Sequence, residues 1–74
     1  MPRLPVVSGR IVVRAFEKLG WRVARQSASH IIMVHADSHA SLSIPDHDEV
    51  AKGTLRSLIR HAGLTVTEFV EAIG

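Results

Sequence analysis

The pair Ser29-His30 is the first place in the chain where side chains of a catalytic type stand together. Histidine takes up and releases protons near neutral pH, and it is the commonest general acid or base in enzymes. His30 opens the apolar run HIIMVHA and follows three small residues, 27–29, that should leave its ring accessible. An exposed histidine at a sheet edge with no chemical role would show the same pattern, so spacing alone does not separate the two interpretations.

The other histidines raise the question of a metal site. The segment HADSH presents His35, Asp37 and His39 around one predicted turn. Zinc or nickel needs three or four ligands that converge on one point. His30 and His35 lie an odd number of positions apart on one predicted strand, so they should point to opposite faces. Because no tight ligand spacing is present, we expect neither a metal site nor a cofactor.

Basic residues form a stripe near the C-terminal end of the sequence. Lys52, Arg56 and Arg60 recur every four positions and should line one side of a helix. Thr54 stands at the predicted start of that helix, where free N–H groups could hold a phosphate. Arg25 adds a cation on a predicted strand. This pattern suits a nucleic-acid backbone, although an ordinary solvated helix face would show it too.

Length and composition favour one small domain, residues 1–74, with a formal net charge of +2 and an isoelectric point near 9.9. Cysteine is absent, which excludes disulfides, thiolate catalysis and cysteine-ligated zinc. The start, MPRLPVV, is too short and too interrupted by proline for a signal peptide. No apolar run approaches the roughly 18 residues of a membrane span. We therefore expect a cytoplasmic protein with no membrane partner.

Hydrophobic spacing predicts three helices. The first runs from Gly9 to Leu19 with Ser8 as its N-cap. The second covers Thr54 to Gly63, and a glycine follows each of these two apolar patterns as a C-terminal signal. The third begins at a capping box formed by Thr65 and Glu68.

Three strands are predicted between the first and second helices. Residues 21–26 should bury one face through Trp21 and Val23, residues 30–36 should form the central strand, and residues 40–45 alternate inward and outward. Their short links favour two hairpins. The order α-β-β-β-α-α predicts an α+β fold of two layers, in which the helices pack on one face of a three-stranded antiparallel sheet.

Several short motifs carry a family resemblance. They lie within the segments SGRIVVRAFEKLGWRVARQSASHIIMVH and SIPDHDEVAKGTLRSLIRHAGLTVTEFVEAI. They are Leu19-Gly20-Trp21, Arg25-Gln26, Ser29-His30, Ile44-Pro45-x-His47 and GTLRSLIRHAGL. On these motifs the chain resembles, over about residues 4–73, the HicA family of toxins, small messenger-RNA interferases of bacterial and archaeal toxin–antitoxin pairs.

The resemblance implies a fold like that of the double-stranded RNA-binding domain, and ribonuclease activity that depends on a single histidine. That histidine corresponds to His30. The implied partners are messenger RNA and a HicB-like antitoxin, which covers the active site; operator DNA is bound only through the antitoxin complex. We expect RNA contacts from Ser29, Arg25, Lys52, Thr54, Arg56 and Arg60.

Two residues depart from the family pattern. Ala28 stands where the family usually has glycine, and Ile31 stands where a second histidine often follows. Glycine there would permit a positive φ or a close approach of the RNA backbone, and alanine limits both. If the turn requires a positive φ at Ala28, the alanine would cost about 1 kcal/mol or more in strain. Ala28 slightly favours the alternative that this chain is a non-catalytic RNA-binding module on the same fold. A scaffold that serves only its antitoxin is a third interpretation, because a fold alone does not fix a function.

The function that this sequence favours is metal-independent cleavage of messenger RNA by a growth-inhibiting toxin. RNA carries its own nucleophile, the 2′-hydroxyl, so a general base or acid such as His30 would be enough to move the protons. The cations would supply positioning and charge neutralisation.

Overall fold

Three helices and three strands follow one another in the order α-β-β-β-α-α in the computed structural model, which describes residues 3–74. This order is the predicted one. The elements are α1 (Gly9–Lys18), β1 (Trp21–Gln26), β2 (His30–His35), β3 (Ser41–Pro45), α2 (Lys52–His61) and α3 (Val66–Ile73).

Local signals set both ends of α1. The Ser8 hydroxyl accepts a hydrogen bond from the Ile11 N–H at 3.3 Å, which satisfies one of the free donors in the first turn. Gly20 follows the helix with φ of 97°, a conformation that side chains other than glycine rarely adopt. Between these ends, Val12 and Phe16 are fully buried on one face. The predicted helix, cap and stop signal are confirmed.

The sheet has the order β1-β2-β3, and both pairings are antiparallel. β2 is therefore the central strand, as predicted. Ile31 and Met33 of β2 are buried, and so are Leu42 and Ile44 of β3, to which they are paired in the register. Side chains on directly paired positions share a face, so these four residues define the covered face of the sheet.

The prediction that β1 buries one face is wrong for every residue of the strand after the first. Trp21 is buried, but Val23 is 39 % exposed and the remaining residues of β1 are exposed as well. The register between β1 and β2 shifts between Val23 and Arg25, which indicates a bulge on an edge strand. An alternation rule assumes a regular ladder, and the bulge interrupts that ladder.

The second helix begins earlier than predicted. α2 starts at Lys52, with Ala51 as an N-cap that makes no side-chain hydrogen bond, so Thr54 lies within the first turn. The third helix agrees with its prediction. The Thr65 hydroxyl accepts from the Glu68 N–H at 3.1 Å, and the Glu68 carboxylate accepts from the Thr65 N–H at 2.9 Å.

The helices cover one face of the sheet, which confirms the α+β prediction. α1 contacts β1 and β3, α2 contacts β3, and α3 packs on α1. The ring centroid of Phe16 lies 6.2 Å from that of Trp21 and 5.3 Å from that of Phe69, so all three aromatic residues belong to the core as predicted. None of the helices within residues 3–74 has the length and apolarity that a bilayer span needs.

Candidate active site at the start of the central strand

His30 is the first residue of β2, and its side chain is exposed. Its Nδ1 lies 3.0 Å from the Ser29 hydroxyl oxygen. No hydrogen bond formed among residues 3–74 uses the other ring nitrogen, Nε2. A hydroxyl can donate or accept, so Ser29 can hold either neutral tautomer of the ring. The arrangement therefore presents Nε2 to solvent either as a proton acceptor or as a proton donor.

The turn before His30 is closed by Ser27. The Ser27 N–H donates to the His30 carbonyl oxygen at 2.9 Å, and the His30 N–H donates to the Ser27 hydroxyl at 3.2 Å. These bonds fix the backbone that carries the imidazole. Ser27 was predicted only as one of three small residues before His30. A serine whose hydroxyl can bond the backbone of a nearby residue is the sequence signal for this role.

Ala28 is accommodated without backbone strain. Within residues 3–74, no residue other than glycine has a positive φ, so the turn does not use the left-handed conformation at this position. The strain that would follow from a positive φ does not arise. The family glycine is therefore not required here for its conformational freedom. The presence of Ala28 does not indicate a distorted turn.

Replacing Ala28 with glycine should lower the free energy of unfolding by about 0.4–1 kcal/mol, because glycine adds conformational entropy to the unfolded chain and relieves no strain. Urea unfolding of the variant and the wild type measures this difference. A variant more stable than the wild type would mean that Ala28 is strained after all.

The loop after β3 holds the turn from the other side. The Asp46 N–H donates to the Ser29 carbonyl oxygen at 2.9 Å, and the Asp46 carboxylate pairs with Arg10 at 3.4 Å. The Gly9 N–H donates to the His47 carbonyl oxygen at 2.9 Å. The start of α1 and the end of β3 thus support the residue beside His30. This contact joins residues far apart in sequence, and no local pattern predicts it.

Arg25 lies on the same face of the sheet as His30. Arg25 is paired with Ile32, which follows His30 by two positions and therefore points to the same side. This is the open face, opposite to the face that the helices cover. His35 lies an odd number of positions from His30 and packs its ring against buried Trp21 at 5.3 Å between centroids, so the predicted separation of the two histidines is confirmed.

The basic stripe of α2 lies away from His30. Lys52, Arg56 and Arg60 are all exposed on one side of the helix, and Lys52 and Arg56 line a cleft beside the start of α3. Arg56 and Arg60 also line a smaller cavity with Leu64. His30 lines neither of these two cavities, and its side-chain hydrogen bond within residues 3–74 goes to Ser29.

Thr54 lies on another side of α2. It lines a shallow cavity against β3, together with Ser41 and Ser43, and does not line either cavity of the basic stripe. The structure therefore does not bring Thr54 together with Lys52 and Arg56, although the three residues are close in sequence.

The segment HADSH forms a turn rather than a convergent cluster. The His35 Nδ1 accepts a hydrogen bond from the Asp37 N–H at 3.0 Å. Within the part of the chain that the structure describes, no group of three histidine, aspartate or glutamate side chains is arranged to hold a metal ion.

Comparison with known proteins adds one finding. The family model described as HicA toxin of bacterial toxin-antitoxin matches residues 9–64, from the first residue of α1 to just beyond α2. A comparison with curated proteins finds no match. The matched segment contains Ser29, His30 and the whole sheet, and it is shorter at both ends than the resemblance over residues 4–73. The chain therefore belongs to the HicA family of toxins of bacterial toxin–antitoxin pairs.

Proposed function

We propose that this toxin is a ribonuclease that cleaves messenger RNA, with His30 as the group that transfers protons. The observation that carries the proposal is the exposed imidazole, whose Nδ1 is held by Ser29 while Nε2 is free for a substrate. Histidine in this state is suited to general acid–base catalysis at neutral pH. Membership of the family implies an antitoxin partner. Messenger RNA as the substrate places the reaction in the cytoplasm.

The proposed reaction uses the nucleophile that RNA provides. His30 Nε2 accepts the proton of a 2′-hydroxyl, and the 2′-oxygen forms a bond to the adjacent phosphorus. The bond from phosphorus to the 5′-oxygen breaks, and that oxygen takes a proton from solvent or from the protonated imidazole. The products are a 2′,3′-cyclic phosphate and a free 5′-hydroxyl. The 2′-oxygen replaces the 5′-oxygen on phosphorus, so the step itself needs no metal-bound water.

Arg25 is the cation best placed to act beside His30, because the two lie on one face of the sheet. Its guanidinium can neutralise charge that develops on the phosphate. Lys52, Arg56 and Arg60 bind the RNA backbone farther from the bond that breaks. Thr54 stays a predicted RNA contact, on the side of α2 that faces β3.

The alternative of a non-catalytic RNA-binding module was slightly favoured by Ala28. The absence of a positive φ at Ala28 removes the part of that argument that rests on backbone strain. The proposal places the HicB-like antitoxin over the open face that carries His30, and assigns operator DNA to the toxin–antitoxin complex rather than to the toxin alone.

Incubation of purified wild-type protein with a long single-stranded RNA, in buffer containing EDTA, tests the proposed activity. We expect cleavage that EDTA does not change, since the RNA supplies the nucleophile. The control is the same protein with its antitoxin added, which should stop the reaction. RNA that stays intact for hours while it is bound would favour the non-catalytic module.

Replacing Ser29 with alanine should slow cleavage about three- to tenfold, because one hydrogen bond that orients the ring is lost. The expected loss lies in the rate under saturating RNA, with little change in affinity. Ser57→Ala, which removes an exposed hydroxyl on α2, is the matched control. Equal rates for Ser29→Ala and Ser57→Ala would show that the contact to Nδ1 does not orient the ring.

A further inference from the structure

A cleft of about 850 Å³ lies between the N-terminal segment, the start of α2 and the start of α3. Arg3 lines it from the first segment, Lys52 and Arg56 line it from α2, and Thr67 lines it from α3. No aspartate or glutamate lines it. Three cations from two separate parts of the chain therefore surround one open space.

None of these three cations forms an ion pair within residues 3–74. Among residues 3–74, the ion pair that the structure contains joins Arg10 and Asp46, outside the cleft. The nearest acid on α3, Glu68, directs its carboxylate to the Thr65 N–H in the capping box. Like charges that line a concave surface raise the local positive potential, and such a surface attracts anions.

The chain next to Arg3 is anchored to the rest of the molecule. Leu4 is only 4 % exposed and lines the cleft. The Val7 carbonyl accepts a hydrogen bond from the Val50 N–H at 2.8 Å, which attaches the N-terminal segment to the loop that leads into α2. The positions of Arg3 and Lys52 are therefore linked through the core, and the cleft is not formed by a free end of the chain.

Much of the cleft lies outside the segment that defines the family. The family model matches residues 9–64, whereas Arg3, Leu4 and Thr67 flank that segment on its two sides. Membership of the family therefore does not account for Arg3 or Thr67, whereas Lys52 and Arg56 lie within the matched segment.

We propose that the cleft binds phosphate groups of the RNA backbone, as a second contact away from the bond that is cleaved. This inference depends on the proposed function, since it assumes that RNA is the substrate. The loop from Asp46 to Ala51 joins the strand end opposite His30 to Lys52, and a chain of that length spans at most about 25 Å. A single strand of the roughly 4–16 nucleotides that such sites usually accept can contact both places.

The chemistry of the cleft suits a phosphate backbone. Its three cations are exposed, Thr65 and Thr67 are exposed beside them, and Leu4 and Val66 supply its apolar lining. The guanidinium groups of Arg3 and Arg56 have the planar geometry that matches two oxygens of one phosphate. Phosphodiester groups need only cations and hydrogen-bond donors, and these are present.

Binding of a fluorescent, fully 2′-O-methylated 12-nucleotide RNA tests the proposal, because this probe cannot be cleaved. We expect Arg3→Gln to weaken binding about fivefold at 0.1 M salt and to reduce the slope of log K against log salt by about 0.7, the value for one phosphate contact on a single strand. Arg3→Gln/Arg56→Gln should show roughly twice that slope change. Lys18→Gln, which removes the same charge beside Glu71, should have a much smaller effect.

The possible outcomes separate a failure of the cleft proposal from a failure of the proposed function. If the cleft variants bind like Lys18→Gln while the wild type binds the probe and cleaves ordinary RNA, the cleft proposal is wrong and the proposed function stands. If the wild type neither binds the probe nor cleaves RNA, the function fails as well. Two further results would overturn an RNA backbone site. One is that inorganic phosphate competes with the probe at a concentration equal to that of the probe's own phosphates. The other is that the cleft variants lose affinity for the antitoxin but keep their affinity for the probe. Unchanged melting temperatures show that the variants fold.

Discussion

Replacing His30 with alanine should abolish growth inhibition and reduce RNA cleavage by roughly 10²–10⁴-fold, the usual contribution of a general acid or base. The ring is exposed and contacts only Ser29 through a side-chain hydrogen bond, so its removal leaves the core unchanged. We therefore expect normal thermal unfolding together with the loss of activity. RNA binding should remain close to that of the wild type, because the cations are untouched.

Expression without antitoxin measures this prediction directly. Growth and bulk messenger RNA are followed for wild type, His30→Ala and His39→Ala. His39 is an exposed turn histidine, and its replacement removes an imidazole elsewhere on the surface. His39→Ala should be as toxic as the wild type. Equal toxicity of His30→Ala and the wild type would remove His30 from the mechanism.

Replacing Gly9 with alanine should lower the free energy of unfolding by about 1–3 kcal/mol, the usual cost of an added group in a tightly packed place. A Cβ at this position would overlap the Pro45 carbonyl oxygen, and that oxygen belongs to the backbone and cannot turn aside. Either α1 or the end of β3 must move. Because Asp46 follows Pro45 and donates to the Ser29 carbonyl, the movement should reach the active site and slow cleavage as well.

Gly53 provides the matched control. It lies in the first turn of α2, and a Cβ there would meet no atom within 4 Å. Gly53→Ala should therefore raise stability by up to about 1 kcal/mol, because alanine is the better helix former. Thermal unfolding and cleavage rates of both variants measure the contrast. A Gly9→Ala protein as stable and as active as Gly53→Ala would show that the contact between Gly9 and Pro45 does not support the site.

The sequence predicts those parts of the fold that depend on neighbouring residues. Ser8 and the pair Thr65 and Glu68 mark helix starts because their side chains bond the backbone of the next turn. Ala51 has no such side chain, and α2 begins at Lys52 without a sequence signal. Val23 was misplaced because the bulge that exposes it depends on how β1 pairs with β2.

In the candidate site, too, contacts between neighbouring residues are predictable from the sequence and contacts between distant segments are not. Ser29 and His30 are adjacent in sequence, so their contact could be predicted from the motif. The hydrogen bond from Asp46 to Ser29 and the placement of Arg3 beside Lys52 depend on how distant segments pack. Periodicity placed Lys52, Arg56 and Arg60 on one stripe correctly, but it gave no information about which part of the molecule that stripe faces.

In the proposed mechanism, the His30 imidazole moves protons while a 2′-oxygen of the RNA attacks the adjacent phosphorus. The most direct test is the chemistry of the ends that the purified wild-type protein leaves on a cut RNA. We predict a 5′-hydroxyl on one fragment and a 2′,3′-cyclic phosphate, or the 3′-phosphate formed from it, on the other. Fragments with a 5′-phosphate and a 3′-hydroxyl would rule this mechanism out, because that product requires attack by water rather than by the 2′-oxygen.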